Sequence, residues 1–258
     1  MMTTFESYLQ FAVETSYEAG KLTLGYFNRG IQPDFKSDDS PVTIADREAE
    51  KLIRQRIEKR FPNHGIVGEE FGEKGAAVKD FCWYIDPIDG TKSFIRGVPL
   101  YGVLLGLEIN ARVEVGAAFF PGIDEMVCAA SGTGTFLNGR RVHVLETEKI
   151  ARSMVGCTDS YNFELQGSSE AWNRIKQATY YRSGWSDAFG HALVATGRLE
   201  IMVDPIMHPW DCGPFPVILR EAGGYFGDWK GNETIHTTTA LSTTQKLLPQ
   251  VLEILNHE

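Results

Sequence analysis

The spacing of apolar residues along the chain changes near Ile66, and this change restricts the folds that the chain can adopt. Before that point apolar side chains recur at helical spacing, which predicts helices over about Phe5–Phe27 and Ala45–Arg60. After it, short apolar runs separated by turn residues predict strands, and Asn138-Gly139 between two such runs predicts a hairpin. The strands come in runs and do not alternate strictly with helices. The sequence therefore favours stacked layers of helix and sheet over a Rossmann arrangement.

The remaining elements follow from the same patterns, and no repeat, low-complexity stretch or linker interrupts them. Strands are predicted at Gly65–Val67, Trp83–Ile85, Val103–Leu107, Val113–Phe119, Glu125–Ala129, Thr135–Leu137, Arg141–Leu145, Ser153–Cys157 and Leu199–Val203. Later helices are predicted at Glu170–Gln177, Ala188–Ala195, Gly213–Ala222 and Gln245–His257.

Charge and cysteine content exclude several classes of function. The chain carries 25 basic and 34 acidic residues, a net charge of -9, which argues against general nucleic-acid binding. Such a protein repels a phosphate anion unless bound divalent metals reverse the local field. The four cysteines form no CxxC pair, so we expect reduced thiols and no zinc site. Without a signal peptide or a membrane-length apolar run, the protein is predicted to be cytoplasmic.

The segment Trp83–Phe94 is the most informative for chemistry. An apolar run delivers Asp86 to a strand end, and Pro87 is expected to stop the strand because it cannot donate to a ladder. An Asp-Gly turn follows, so Asp86 and Asp89 can converge on one point, with the Ile88 carbonyl between them. Mg²⁺ prefers such oxygen ligands. The alternative is an ordinary strand-to-loop turn, in which Asp-Gly is common.

Other acids stand at similar positions, and each has a structural alternative. Glu69 and Glu70 follow a short apolar stretch, although adjacent glutamates are usually solvated. Asp211 lies between a tryptophan and a helix start, where it would also serve as an N-cap. Asp46 follows a possible Thr43 cap, and an acid in a first helical turn is favoured by the helix dipole. The four acids gain weight only as a set.

The set occurs in the ordered segments DSPVTIAD, GEE, WYIDPIDGTKSF, GTGTFLNG and WDCGPFPVILREAGG. Together these resemble the inositol monophosphatase family of metal-dependent, lithium-sensitive phosphatases, from the first helix to beyond Gly224. The resemblance implies an αβαβα sandwich and a homodimer. It also implies one unit over residues 1–258, with a metal-binding half at 1–150 and a half at 151–258 that completes the site.

The resemblance assigns the metal ligands residue by residue. Glu69, Asp86 and the Ile88 carbonyl would bind a first Mg²⁺. Asp86, Asp89 and Asp211 would hold a second. Metals suit this reaction because they neutralise the phosphate oxygens and lower the pKa of an attacking water.

It also assigns the residues that act on water and phosphate. Thr91 and Asp46 would orient and deprotonate the attacking water. The backbone amides of Gly90 and Thr91 would hold the phosphate. Glu70 would contact the metal ligands without binding the first two ions itself, or it would bind a weakly held third ion. The resemblance thus implies two or three Mg²⁺ per subunit.

The substrate is indicated by the stretch Arg182–Gly197, which resembles the histidinol-phosphate phosphatase branch of the family in carrying an Asp followed by an aromatic residue. We expect Asp187 to pair with a cation on the substrate, and Arg182 or Trp185 to shape the pocket. The alternative for Asp187 is a helix cap. The sequence thus predicts Mg²⁺-dependent hydrolysis of histidinol phosphate, a step of histidine biosynthesis.

Other functions stay open at this point. An inositol-1-monophosphatase of broad specificity is the first alternative. A nucleotide 3′-phosphatase or a fructose bisphosphatase fits less well, because such relatives commonly carry insertions for which 258 residues leave little room. A non-catalytic metal- or phosphate-binding regulator should have lost a ligand or a water-activating residue, and none is missing here. The net charge disfavours RNA binding, and no membrane partner is expected.

Overall fold

The computed structural model describes residues 4–37, 40–75, 80–184 and 187–257. Its helices are α1 (Thr4–Leu24), α2 (Ile44–Arg60), α3 (Thr91–Ile95), α4 (Tyr161–Leu165), α5 (Ser169–Ala178), α6 (Asp187–Ala195), α7 (Pro209–Cys212), α8 (Phe215–Glu221) and α9 (Leu248–Asn256). Within these ranges no helix combines the length and apolar character that crossing a membrane requires.

The strands of the described ranges form a short ribbon and two sheets. The ribbon pairs β1 (Asp34–Phe35) with β2 (Pro41–Val42). The large sheet contains β3 (Gly65–Gly68), β4 (Gly72–Lys74), β5 (Phe81–Asp89), β6 (Gly102–Ile109), β7 (Arg112–Phe120), β8 (Glu125–Ala130), β9 (Gly134–Leu137) and β10 (Arg140–Val142), in the order β10-β9-β8-β7-β6-β5-β3-β4. The small sheet contains β11 (Met154–Cys157), β12 (Tyr181–Gly184), β13 (Ile201–Asp204), β14 (Gly224–Gly227) and β15 (Ala240–Thr244), in the order β12-β11-β13-β15-β14.

The layers follow from which faces are apolar. Helices α1 and α2 cover one face of the large sheet, and α6 and α8 lie between the two sheets. Helices α5 and α9 pack together over the outer face of the small sheet. Each interface has its own buried apolar cluster, and the central cluster draws residues from both sheets. The predicted α/β layered sandwich is confirmed. The single unit over residues 1–258, with halves at 1–150 and 151–258, stays a prediction.

The hairpin predicted at Asn138-Gly139 is present between β9 and β10. Both turn residues have positive φ, 48° at Asn138 and 78° at Gly139. Two left-handed residues in succession are what a type I′ turn requires, and its twist matches that of the flanking strands.

The prediction that Pro87 stops its strand was wrong. Strand β5 continues through Pro87 to Asp89, and its pairing with β6 shifts register between Asp86 and Asp89. An irregularity of this kind leaves a residue outside the ladder, so the missing N–H of a proline costs nothing there. The strand therefore delivers both aspartates, and not only the first, to the same end of the sheet.

Candidate active site

A cleft of about 490 Å³ opens at the end of β5. It brings together most of the residues predicted from separate segments: Glu69, Asp86, Ile88, Asp89, Gly90, Thr91, Asp187 and Asp211. Lys36, which the sequence analysis did not single out, lines the same cleft. The residues come from the ends of β3 and β5 and from the starts of α3, α6 and α7.

The turn after β5 is held by its own hydrogen bonds. The Ile88 N–H donates to Asp86 Oδ1 at 3.0 Å. Gly90 has φ of 81°, a left-handed conformation that glycine adopts without strain. The Phe94 N–H donates to the Gly90 carbonyl at 2.9 Å, which starts α3. These hydrogen bonds fix the turn that carries Asp86 and Asp89.

Asp46 reaches this turn from α2. Its Oδ2 accepts from the N–H and the hydroxyl of the N-cap Thr43, at 2.8 and 2.6 Å. Its Oδ1 lies 3.2 Å from Thr91 Oγ1, which is also 3.1 Å from the Ile88 carbonyl oxygen. Burial raises the pKa of Asp46 to about 6, against the hydrogen bonds from Thr43. Asp46 therefore accepts hydrogen bonds at the start of its own helix and also contacts Thr91. This position is compatible with both interpretations of the sequence, a first-turn acid and a partner of Thr91.

The predicted ligand carboxylates form a mutually repelling group, in which Asp86 and Asp89 are buried and Glu69 and Asp211 are partly buried. Burial raises the pKa of Asp86 and Asp89 well above the usual range, and the neighbouring Glu69 and Asp187 charges, respectively, add to it. Burial likewise raises the pKa of Asp211 to about 8, although its Oδ2 accepts the His208 N–H at 2.9 Å. Such a group needs a counter-charge to stay ionised.

Lys36 supplies part of that charge. Its Nζ lies 2.8 Å from Glu69 Oε1 and 2.7 Å from Glu70 Oε1, and a quarter of its side chain is exposed. Across the described ranges, no three acidic, histidine or cysteine side chains converge closely enough to hold a metal ion as they stand. The donor set still fits a hard divalent cation, because it consists of buried carboxylate oxygens whose charges are only partly compensated.

A second recess of about 380 Å³ shares Asp89, Lys92, Asp187 and Asp211 with the first. Its other wall includes Thr158, Asp159, Asn162, Ile206 and Met207. The sequence analysis missed this wall. Its segments follow β11 and β13, and no contiguous motif marks either of them.

Asp187 lies at the junction of the two recesses. It begins α6 with φ of 48°, which is unusual for a residue other than glycine. A Cβ placed on Gly90 would lie 2.7 Å from Asp187 Oδ2, so this carboxylate sits against the turn after β5. Burial raises its pKa to about 6, and the Asp204 charge adds to that while Lys92 opposes it. The Ala188 N–H donates to Asp89 Oδ2 at 2.8 Å, so Asp89 takes a first-turn amide of α6.

Of the other predicted substrate residues, the structure describes Arg182, which does not line the cleft. The Arg182 guanidinium donates to the carbonyls of Lys176 and Tyr180. Arg182 is exposed and lines neither recess, so its role in shaping the pocket stays a prediction. Trp185 lies outside the described residues. His191 is fully buried in the core.

Comparisons with known proteins identify the family of this chain. The family model described as "Inositol monophosphatase family" matches residues 5–257. A histidinol-phosphatase of Chlorobaculum parvum is 44% identical over 88% of each chain. One of Mycobacterium tuberculosis is 31% identical, over 96% of this chain and 97% of its own. The structure of inositol monophosphatase from Anabaena superposes with a TM-score of 0.86 at 28% identity, covering 98% of this chain and 96% of that one. With its fold, its acidic cleft and these relatives in agreement, this chain is a phosphatase of the inositol monophosphatase family.

Proposed function

We propose that this phosphatase hydrolyses histidinol phosphate to histidinol and phosphate with the help of Mg²⁺, as a step of histidine biosynthesis. The observation that carries the proposal is Asp187, a partly buried carboxylate against the Gly90 turn at the junction of the two recesses. If the phosphate group of the substrate is held at that turn, the alcohol part of the ester lies beside the Asp187 carboxylate. Histidinol carries an amino group, and its imidazole can also be charged. The 44% identity to a named histidinol-phosphatase supports the same substrate.

The chain's own residues supply binding, orientation and proton transfer. The amides of Gly90 and Thr91 bind the phosphate. Thr91 Oγ1 orients the attacking water, and Asp46, 3.2 Å away, receives its proton. The water oxygen forms the new bond to phosphorus, the ester P–O bond breaks, and the alcohol oxygen takes a proton from solvent. Little covalent work is left to the protein, so positioning and charge stabilisation dominate.

Divalent cations complete the proposal. Glu69, Asp86 and the Ile88 carbonyl would hold one ion, and Asp86, Asp89 and Asp211 a second. Glu70 would assist from behind or bind a third ion. When bound, such ions neutralise the phosphate oxygens and lower the pKa of a nearby water. The buried, only partly compensated charges of these carboxylates favour their binding.

The first experiment compares kcat/KM at fixed Mg²⁺ for histidinol phosphate, inositol 1-phosphate and a nucleotide 3′-phosphate. We expect a clear preference for histidinol phosphate. A preference for inositol 1-phosphate would leave the metal chemistry standing and favour the alternative, an inositol-1-monophosphatase of broad specificity, which the Anabaena relative supports. No release from any ester with Mg²⁺ bound would refute the catalytic proposal.

The role of Asp187 is tested by Asp187→Asn. The change removes a charge and keeps the shape, so we expect KM for histidinol phosphate to rise by roughly 10-fold or more, while KM for inositol 1-phosphate stays within about twofold. Asp159→Asn is the matched control, because Asp159 lines the same recess while its Oδ1 accepts the Tyr161 N–H at 2.9 Å. Equal effects of Asp187→Asn on both esters would remove the pairing role.

Two further expectations belong to the same proposal. The resemblance implies a homodimer, which light scattering on the purified chain measures directly. It also implies inhibition by lithium, which an activity titration with LiCl at fixed Mg²⁺ would measure.

A further inference from the structure

Helix α2 presents two fully buried acids, Asp46 and Glu50, on one face. They are four residues apart, so their side chains lie one above the other. Asp46 contacts Thr91 in the turn after β5. Glu50 lies beside the other acidic segment of the site, the loop that carries Glu69. One helix face therefore touches both segments proposed to work on the phosphate.

Glu50 binds the backbone of that loop directly. Its Oε2 accepts the Glu70 N–H at 2.7 Å, and its Oε1 accepts the Phe71 N–H at 3.2 Å. Arg54, one turn further along α2, donates from Nε to Oε1 at 2.6 Å. Hydrogen bonds to an ionised acceptor are stronger than neutral ones, and burial away from water strengthens them further. The two amides are thus fixed by a carboxylate that is itself held by an arginine.

The chain closes tightly around this carboxylate. A Cβ at Gly68 would collide with Glu50 Oε1, so only glycine lets the backbone pass this close. On the opposite side, the Glu69 N–H donates to the Ile85 carbonyl of β5 at 3.2 Å. The two residues that follow Glu69 are therefore held by α2, and Glu69 itself by β5. The direction in which the Glu69 side chain leaves the backbone is set by these contacts.

We propose that Glu50 is a positioning residue for metal binding: through the amides of Glu70 and Phe71 it holds Glu69 and Glu70 in the orientation that a divalent cation needs. The inference rests on the proposed function in one respect, that Glu69 is a ligand. Glu50 itself does not line the cleft and touches neither substrate nor the reacting atoms. Its effect should therefore appear in metal affinity and not in the chemical step.

The test uses Glu50→Gln in the full-length protein. An amide of the same shape offers one accepting oxygen where the carboxylate offers two, so at least one loop amide loses its partner. Mg²⁺ affinity is measured by calorimetry without substrate, and kcat is measured over a wide Mg²⁺ range. We expect the Mg²⁺ Kd to rise by about 10- to 100-fold, as for other partners of metal ligands, while kcat at saturating Mg²⁺ returns to within about threefold of wild type.

Two more variants complete the design. Glu48→Gln is the control, because Glu48 is on the same helix but bonds to Tyr26 away from this loop. Glu50→Asp keeps the charge but is one carbon shorter, and we expect an intermediate loss of Mg²⁺ affinity. It also keeps the test open if Glu50→Gln does not fold. In both Glu50 variants the Glu70 and Phe71 amides should exchange with deuterium faster than in Glu48→Gln.

The outcomes separate this inference from the proposed function. If the folded Glu50 variants bind Mg²⁺ as wild type does, or lose kcat at saturating Mg²⁺ with an unchanged Kd, then Glu50 is only structural and the inference is wrong. If the wild-type protein itself binds no Mg²⁺ and releases no phosphate, the proposed function fails, and this inference fails with it.

Discussion

The two walls of the cleft are built differently. The wall that carries Asp86, Asp89 and Thr91 comes from one contiguous turn after β5, reinforced by α2 from behind. The opposite wall belongs to the second recess and comes from three segments, which follow β11, begin α6 and follow β13; its residues are Thr158, Asp159, Asn162, Asp187, Ile206 and Met207. The first wall is fixed by local hydrogen bonds, whereas the second depends on how the small sheet is assembled.

The difference teaches where chemistry and selectivity reside in such a fold. Reacting groups must stay within a few tenths of an ångström, and a short turn with its own hydrogen bonds achieves that. Selectivity tolerates looser construction, because a few kcal/mol spread over several contacts is sufficient. We therefore expect changes on the first wall to affect every ester alike, and changes on the second to affect esters unequally, as in the Asp187→Asn experiment.

The largest effect should come from Asp89→Asn. The amide oxygen can still accept the Ala188 N–H, so the contact that joins the two walls is kept while the charge is lost. We expect kcat to fall by roughly 100- to 1,000-fold for every ester, since Asp89 is a proposed ligand of the second Mg²⁺ and its loss would weaken the charge stabilisation that this ion supplies. Steady-state kinetics with two esters checks this, with circular dichroism as a control for folding. A loss confined to one ester would place Asp89 on the selectivity wall instead.

A smaller effect is expected for Lys36→Met. The variant removes the ammonium that neutralises Glu69 and Glu70, so a divalent cation meets no competing charge. For a pair of this exposure we expect Mg²⁺ to bind roughly 10-fold more tightly, with the preference among esters unchanged. Lys74→Met is the matched control, because the Lys74–Glu58 pair is also 2.8 Å long but lies on the exposed surface. Weaker Mg²⁺ binding by Lys36→Met in calorimetry would show that Lys36 acts together with the ion.

The smallest effect is a shift in thermal stability with pH in the metal-free protein. Burial raises the pKa of Asp46 to about 6, of Glu70 to about 7 and of Asp211 to about 8, against about 4 in an unfolded chain. The folded state therefore holds more protons between pH 4 and 8, and stability falls as pH rises through this window. In chelator we expect Tm at pH 8 to lie at least about 5 °C below Tm at pH 5.

Two comparisons isolate the cause of that shift. His64 acts in the opposite sense, since burial lowers its pKa and the unfolded chain binds the proton more readily below about pH 6.5. Mg²⁺ should raise Tm more at pH 8, where the carboxylates are ionised, than at pH 5. His64 is not a proposed ligand and would not produce this difference. Asp211→Asn should lose more of the pH dependence than Asp187→Asn, whose pKa is raised only to about 6. If Tm in chelator does not change with pH, the pKa values of these carboxylates are not raised in the folded protein.

The sequence was sufficient for most of the first wall because its residues are contiguous or come at element ends. The apolar run before Asp86 and the glycine after Asp89 are local signals, and α2 with its Thr43 cap follows from periodicity. Pro87 misled the prediction because the register shift that accommodates it depends on pairing with β6. Lys36 and Glu50 were missed because their importance arises only from partners more than 20 residues or so away along the chain.

The second wall and the outer strands were harder for a related reason. Strand β14 has the sequence Gly-Tyr-Phe-Gly, and β15 mixes small and hydroxyl side chains, so neither carries an alternating apolar pattern. Both are strands because they pair with each other and, through β15, with β13. Asp159 and Asn162 gain their position from that sheet, and no property of their own sequence reveals it.

The collision that a side chain at Gly68 would have with Glu50 bears on how this family can evolve. A change at either position disturbs the same contacts: any larger residue at 68 would push the carboxylate away, and loss of the carboxylate would leave the Glu70 and Phe71 amides without this acceptor. In related sequences the two positions should be retained together or replaced together. Lineages that have abandoned the acid at 50 are then the ones in which 68 is free to drift.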